Sequence, residues 1–409
     1  MKRLGVFKLA YNLTRIKRLF DSESIDLIIA STKENCRYFT GYSPVIKTLN
    51  PYLGQSYAVL HCDCPEEVSI VHSAGESDQV LDADVPVRHV ETYGIFYREY
   101  DGLANLTPQE RLLQQYSHAD SSSASPSEAL KRLLQELSLA SPLRQIGYDD
   151  DGMPRETLAD LQRAFPDVRW KAMSQAIRRV RRQKTASEIE MLARSACINE
   201  AAVHETVKKV RSGTSEVEVS LWFNQALVSQ GAQPSLTMIK AGRAAVGGQR
   251  RQNPDILLHP GDMLWFDSDA IYEGFWSDIA RVYAIEQVSP LLLKRYQALR
   301  NGMLAACSFI RPGVTGRQVF AHVMETVHRS GFTEYRRHHV GHGIGLEPYE
   351  LPILSPSDDN IIEEGMILSV ETPYYEFGVG ALHIEDPLLV GATGNRFLTS
   401  NPAPELQIL

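Results

Sequence analysis

Two triplets one hundred residues apart, Arg211-Ser212-Gly213 and Arg311-Pro312-Gly313, constrain this chain more than any other feature. Each ends a helix-like run. Each is followed by a second such run that stops at a further glycine, Gly231 or Gly331, eighteen residues past the first in both copies. Glycine just past the last apolar-periodic residue is a common helix stop, because it enters the left-handed region without steric cost. Both copies lead into strand-like sequence. One matched glycine pair arises easily by chance; two pairs at equal spacing do not. The pattern predicts a duplicated helix-helix-strand-strand unit.

Ahead of the repeat, Thr185 and Glu188 form a capping-box pattern, with Ile189, Leu192, Ala193 and Ala196 on one face of the helix that follows. Upstream, strand-like runs at Leu27–Ala30, Ala58–Leu60 and Val68–Val71 alternate with helical patterns around 12–23, 127–138 and 156–164. The tract from Ser121 to Pro126 reads as a loop. At 409 residues the chain exceeds one ordinary core. The fold class is α/β (α+β) in two domains, 1–175 and 176–409.

A net charge of −8 leaves no electrostatic footprint for nucleic acid, and the short basic run RRVRRQK (178–184) reads as a solvated helix start. No apolar run reaches the roughly 18 residues of a membrane span. The start, MKRLGVFKLAYNLTRIKRLF, carries charges throughout and lacks a signal-type apolar core. Cysteines 36, 62, 64, 197 and 307 form no disulfide or zinc framework, so a reducing cytoplasm is the expected location.

The chemistry concentrates in the last third. Asp267 and Asp278 stand in WFDSDAIYEGFWSD, His342 in HHVGHGIGLE, Glu371 in ILSVETP and Glu385 in HIED. Four carboxylates and one imidazole make a hard, oxygen-rich set suited to one or two divalent ions such as Mn, Fe(II), Co or Zn. Reading 263–271 and 274–284 as a hairpin joined at Tyr272-Glu273 sets Asp267 opposite Asp278. Carboxylates that close repel unless a cation lies between them or they share a proton. Asp267 follows the apolar run Met263–Phe266, and Glu371 ends the apolar run Met366–Val370, so both are expected to be buried and to need a partner. Asp269 falls on the face of Asp267, either as a further carboxylate near the metals or as an edge charge reaching solvent. His383 shares the face of Glu385, as support for the ligands or as a structural histidine.

In order and spacing these motifs resemble the superfamily of creatinase, prolidase, aminopeptidase P and methionine aminopeptidase. DLIIASTKENCRYFTGY (26–42) is similar to the start of a creatinase-type amino-terminal domain, and RRVRRQKTASEIEMLARSACINEAA (178–202) to the opening of the catalytic domain. The resemblance implies a pita-bread catalytic domain with its pseudo-twofold repeat. It implies Asp267, Asp278, His342, Glu371 and Glu385 as metal ligands, and Glu371 also as acid/base. It implies His338 as a substrate-binding histidine, with His339 turned away if the stretch is extended. A homodimer is implied, in which the amino-terminal domain of one subunit helps wall the partner's site. The departures are Asp269 for a glycine, Gln249 and Tyr349 at the positions of two peptidase histidines, His383 for an arginine, and Thr372 for a proline.

The reading carried forward is a metal-dependent hydrolase of a C–N bond in a small substrate or Xaa-Pro dipeptide, acting through a metal-activated water, with Glu371, His338 and Tyr349 in the catalytic site. The alternative is a metal-dependent lyase similar to the dimethylsulfoniopropionate lyase of the same superfamily. A non-enzymatic histone-binding scaffold is disfavoured, because all five ligand positions are filled.

Overall fold

Residues 11–117 and 122–409 are described by a computed structural model; the first ten residues and Ser121 of the serine-rich tract lie outside them. Two compact units divide the chain, Met1–Arg181 and Arg182–Leu409.

The first unit holds six strands: β1 (Leu27–Ala30), β2 (Tyr57–His61), β3 (Val68–Ser73), β4 (Val87–Tyr93), β5 (Gln145–Tyr148) and β6 (Arg169–Ala172). Their order is β4-β3-β2-β1-β5-β6. Short, fully buried apolar strands such as β1 suit the middle of a sheet covered on both faces. The expected helices are present at Leu13–Glu23, Pro126–Ala140 and Arg155–Ala164.

In the second unit the duplication is physical. Helices Ala186–Val207 and Glu216–Ser229 form one copy, and Pro290–Phe309 and Gly316–Arg329 the other. Gly213, Gly231, Gly313 and Gly331 all have positive φ, between 84° and 95°. Gly231 and Gly331 stand just past the helices ending at Ser229 and Arg329. The helices before Gly213 and Gly313 stop earlier, at Val207 and Phe309, so these two glycines sit in the following turns and not at the helix ends expected. Gly213 N–H donates to Leu258 O at 2.7 Å and Gly313 N–H to Ile362 O at 2.9 Å. Ser215 with Glu218, and Thr315 with Gln318, build matching capping boxes. Val219, Phe223 and Leu227 enter one core cluster, and Val319, Val323 and Val327 the other. Each trio is spaced by four and faces the sheet.

That sheet is built from β7 (Gln233–Ala241), β8 (Met263–Tyr272), β9 (Phe275–Ala284), β10 (Gly341–Gly343), β11 (Glu350–Ile353), β12 (Ile367–Glu371), and, after the small pair β13 (Tyr374–Glu376) and β14 (Gly380–Leu382), β15 (Glu385–Leu389). The order is β11-β10-β12-β15-β9-β8-β7. Two short strands, β16 (Arg396–Phe397) and β17 (Gln407–Ile408), pair with β15 and β9.

The β8–β9 register corrects the expected one by two residues. Tyr272 pairs with Phe275, so the turn is Glu273-Gly274, and Asp278 opposes Asp269 while Asp267 opposes Ala280. Both turn residues have positive φ, 48° and 78°, as a two-residue type I′ turn demands, and this favours glycine at its second position.

The helix 186–207 begins at the Thr185–Glu188 capping box, with Leu192 and Ala196 buried and Ile189 and Ala193 packed against them. Glu188 is itself buried beside the Lys184–Glu350 ion pair, which closes to 2.5 Å. Burial pushes its carboxyl up to about 7, against the pull of Lys184. Between its ordinary value of 4.5 and about 7 the folded chain therefore holds a proton that the unfolded chain has lost. Stability from this group is present below the unfolded value and falls as pH rises to about 7. Glu188→Gln keeps an acceptor for Thr185 N–H and removes the titration. In urea unfolding, the stability difference between variant and wild type is expected to move in the variant's favour from pH 5 to pH 7, by at most about 3 kcal/mol. A constant difference across that window contradicts the assignment.

Candidate metal centre

The register lays three carboxylates in one row across four strands. Asp267 on β8 pairs with Ala280 on β9, Ala280 pairs with Glu385 on β15, and Glu385 pairs with Glu371 on β12. Neighbouring strands lie about 4.8 Å apart, and directly paired residues share a face. Ala280, fully buried and ending at its methyl group, leaves open the space between the carboxylates on either side. One step along the hairpin, Asp269 pairs with Asp278. Asp269 is therefore a fifth carboxylate of the cluster and not an edge charge; only 6% of its surface is exposed.

His342 reaches the cluster from β10, where it pairs with Ser369 of β12. A Cβ on Gly341 would stand 2.3 Å from Ser369 O, and Gly341 has φ 142°. Only glycine lets this strand approach so closely. His342 Nδ1 lies 3.0 Å from Gly343 O. A carbonyl can only accept, so Nδ1 carries the proton and a neutral ring turns the Nε2 lone pair inward. Nε2 sits 3.6 Å from Asp278 Oδ2 and 3.8 Å from Glu385 Oε1. Tyr349 stacks on the imidazole with ring centroids 3.7 Å apart and fixes its plane.

His383 has the opposite polarity. Trp265 Nε1, which can only donate, reaches His383 Nδ1 at 3.3 Å. In the neutral ring Nε2 is then the protonated nitrogen, and it stands 3.3 Å from both Glu371 Oε2 and Glu385 Oε2.

His339 corrects another expectation. It faces the centre, its Nδ1 2.7 Å from Glu371 Oε1, in an approach not aligned as a hydrogen bond. Residues 336–340 form no regular strand, so the two-residue alternation assumed for them does not apply. His338 is more exposed and lines the same cavity, of about 620 Å³, as Gln249, Tyr349, Asp267 and Glu371. Sequence reasoning missed Trp265 and Ala280 as parts of the site. Neither carries a ligand atom, and their roles exist only through the register.

The electrostatics call for positive charge. Burial pushes the Asp267 carboxyl up to about 7, against the pull of His383, with Asp278 and Glu371 adding repulsion. Burial, then Asp278, raises Asp269 and Glu385 well above the carboxylate range. Glu371 alone goes the other way: burial pushes it up, but His339 and His383 together hold it well below that range. Asp269 Oδ1, Asp278 Oδ1, Glu371 Oε1 and His342 Nε2 are buried without a hydrogen bond. Two overlapping groups, Asp278-His342-Glu385 and Asp267-His383-Glu385, each bring three ligand-type atoms within 4.8 Å of one another. Converging orphan acceptors around the Nε2 edge of His342 fit a hard divalent cation.

Residues 12–183 match the Creatinase/Prolidase N-terminal domain, and residues 190–392 match Metallopeptidase family M24. The chain is 30% identical over 268 residues to the uncharacterized peptidase YqhT of Bacillus subtilis, covering 65% of this chain and 76% of that one. It is 24% identical over 286 residues to an Xaa-Pro dipeptidase of Pyrococcus horikoshii, covering 70% and 81%. Its fold is similar to that of an Xaa-Pro dipeptidase from Bacillus anthracis, with a TM-score of 0.77 at 24% identity, covering 97% of this chain and 99% of that one. The architecture is thus a creatinase-type domain followed by the pita-bread domain of the prolidases. These likenesses lend the lyase alternative no support.

Proposed function

Because the chain belongs to the creatinase, prolidase and M24 metallopeptidase superfamily and is a metallohydrolase of that kind, we propose that it hydrolyses the C–N bond of Xaa-Pro dipeptides or closely similar small substrates. The observation that carries the reading is the carboxylate row Asp267-Glu385-Glu371 around Ala280, with the unpartnered His342 Nε2 facing it.

In this reading Asp267, Asp278, His342, Glu371 and Glu385 hold one or two divalent ions, and Asp269 adds a further oxygen beside Asp278. Such ions supply Lewis acidity, which lowers the pKa of water and polarises a carbonyl oxygen. Glu371 moves the proton. It is unprotonated, with His339 and His383 on two sides, and its free oxygen would accept a proton from the attacking water and pass it to the leaving nitrogen. His383, its tautomer set by Trp265, would not be a ligand here: its Nε2–H lies 3.3 Å from Glu371 Oε2 and from Glu385 Oε2, unaligned for a hydrogen bond to either, and its positive end favours both carboxylates. Tyr349 keeps the His342 plane, and His338 and Gln249 face substrate from the cavity wall. Neither Tyr349 nor Gln249 takes up a proton near neutral pH, so acid/base work falls to Glu371.

A cytoplasmic homodimer belongs to the same reading and rests on the family resemblance. Among the described residues no helix is long and apolar enough to cross a membrane. The experiment is turnover of an Xaa-Pro dipeptide panel by protein loaded with Mn(II) or Fe(II), beside a chelated control. Metal-dependent release of proline supports the proposal; no release from demonstrably loaded protein overturns it.

A further inference from the structure

We propose that Arg337 is the specificity-determining residue of this site, and that it recognises a free carboxylate one residue beyond the scissile bond. The proposal rests on the peptidase reading and narrows it to dipeptides with an unblocked carboxyl end.

Buried guanidinium groups ordinarily have their donors occupied. Arg281, in the same unit, shows the usual case: it donates to Ala280 O, Glu385 O, Asp386 and Asn401 O, and pairs with Glu200. Arg337 has none of this. Its side chain is 11% exposed, its Nε is buried without a hydrogen bond, and its one ion pair is a loose 3.8 Å from Nη2 to Glu371 Oε2. It lines the 620 Å³ cavity over Glu371. A rigid fork of five N–H donors that is nearly unpaired and turned to a cavity is complementary to a carboxylate, which it can take bidentately.

The position sets which carboxylate. Glu371 is the group assigned to move the proton at the scissile bond. One Cα–Cα step is about 3.8 Å, so a guanidinium beside Glu371 reaches the carboxyl group of the residue that follows that bond. A longer peptide offers an uncharged amide there. Away from the metal centre, Arg337 and Arg250 give this cavity its positive charge, and of the two Arg337 is the one beside Glu371. Met238 and Tyr375 give the apolar wall against which a proline ring packs.

The test compares the full-length Mn(II)-loaded wild type with Arg337→Gln and Arg337→Lys, on alanyl-proline and alanyl-prolinamide, with bound metal measured for each protein. The proposal expects wild type to prefer the acid by about tenfold or more in kcat/KM. Arg337→Gln should erase that preference through KM, keep metal content and amide turnover, and Arg337→Lys should restore part of it. An unchanged acid-to-amide ratio in Arg337→Gln overturns the proposal. So does parallel loss of both substrates together with metal, which marks a purely structural ion pair to Glu371. Should wild type cleave neither substrate, the peptidase reading fails by itself. Calorimetric binding of proline against prolinamide by the same proteins then decides Arg337: a preference for the acid that the Gln variant loses supports it, and no preference overturns it.

Discussion

Asp278→Ala is expected to reduce bound divalent metal from wild-type stoichiometry to near zero while the fold survives. Asp278 belongs to the Asp278-His342-Glu385 group and pairs directly with Asp269. Its Oδ1 has no hydrogen bond to lose. Removing it deletes one of several crowded like charges and leaves only a small space in the sheet. The metal-free variant should therefore melt no lower than metal-free wild type, whereas wild type alone gains stability when Mn(II) is added, by the mass-action rise that any ligand of the native state produces. Elemental analysis after gel filtration and a thermal melt with and without metal check both halves. Wild-type metal content in the variant removes Asp278 from the centre.

Glu371→Gln should have the largest effect on turnover. The two side chains match in size, so the cavity keeps its shape. The amide has no charge for His339 and His383 to favour and cannot take up a proton. General acid–base groups contribute about 10²- to 10⁴-fold, and kcat at saturating metal should fall by that order, with a smaller change in KM. A variant that retains more than about a tenth of kcat would assign the proton transfer elsewhere.

Much of this centre was legible beforehand because its signals are local. Glycines in tight turns announce themselves by position: all four in the repeat have positive φ, Gly231 and Gly331 at helix ends and Gly213 and Gly313 in the turns beyond them. The residues Asp267, Asp278, His342, Glu371 and Glu385 stand out because buried strands seldom carry carboxylates without a partner. What could not be read was set by geometry between segments. The hairpin register depended on where a two-residue turn closed, and a shift from Tyr272-Glu273 to Glu273-Gly274 moved every pairing by two. The face of each residue is unchanged by a shift of two, so the candidate ligands stayed together while their opposite partners changed. His339 was misjudged because alternation was assumed where no strand exists. Arg337 and Trp265 gave no signal at all: an arginine with most of its donors unpaired, or an indole that sets an imidazole tautomer, is visible only once the surrounding atoms are in place.

The central claim is that this carboxylate–histidine centre, loaded with divalent metal, splits the C–N bond of a small proline-containing substrate. The most direct measurement is a titration of Mn(II) into chelator-stripped protein, following bound metal and proline release from an Xaa-Pro dipeptide in the same samples. Release is expected to be absent from the stripped protein, to rise in step with occupancy, and to stay absent in Asp278→Ala at every metal concentration. Full occupancy without proline release, or release that does not follow occupancy, would contradict it.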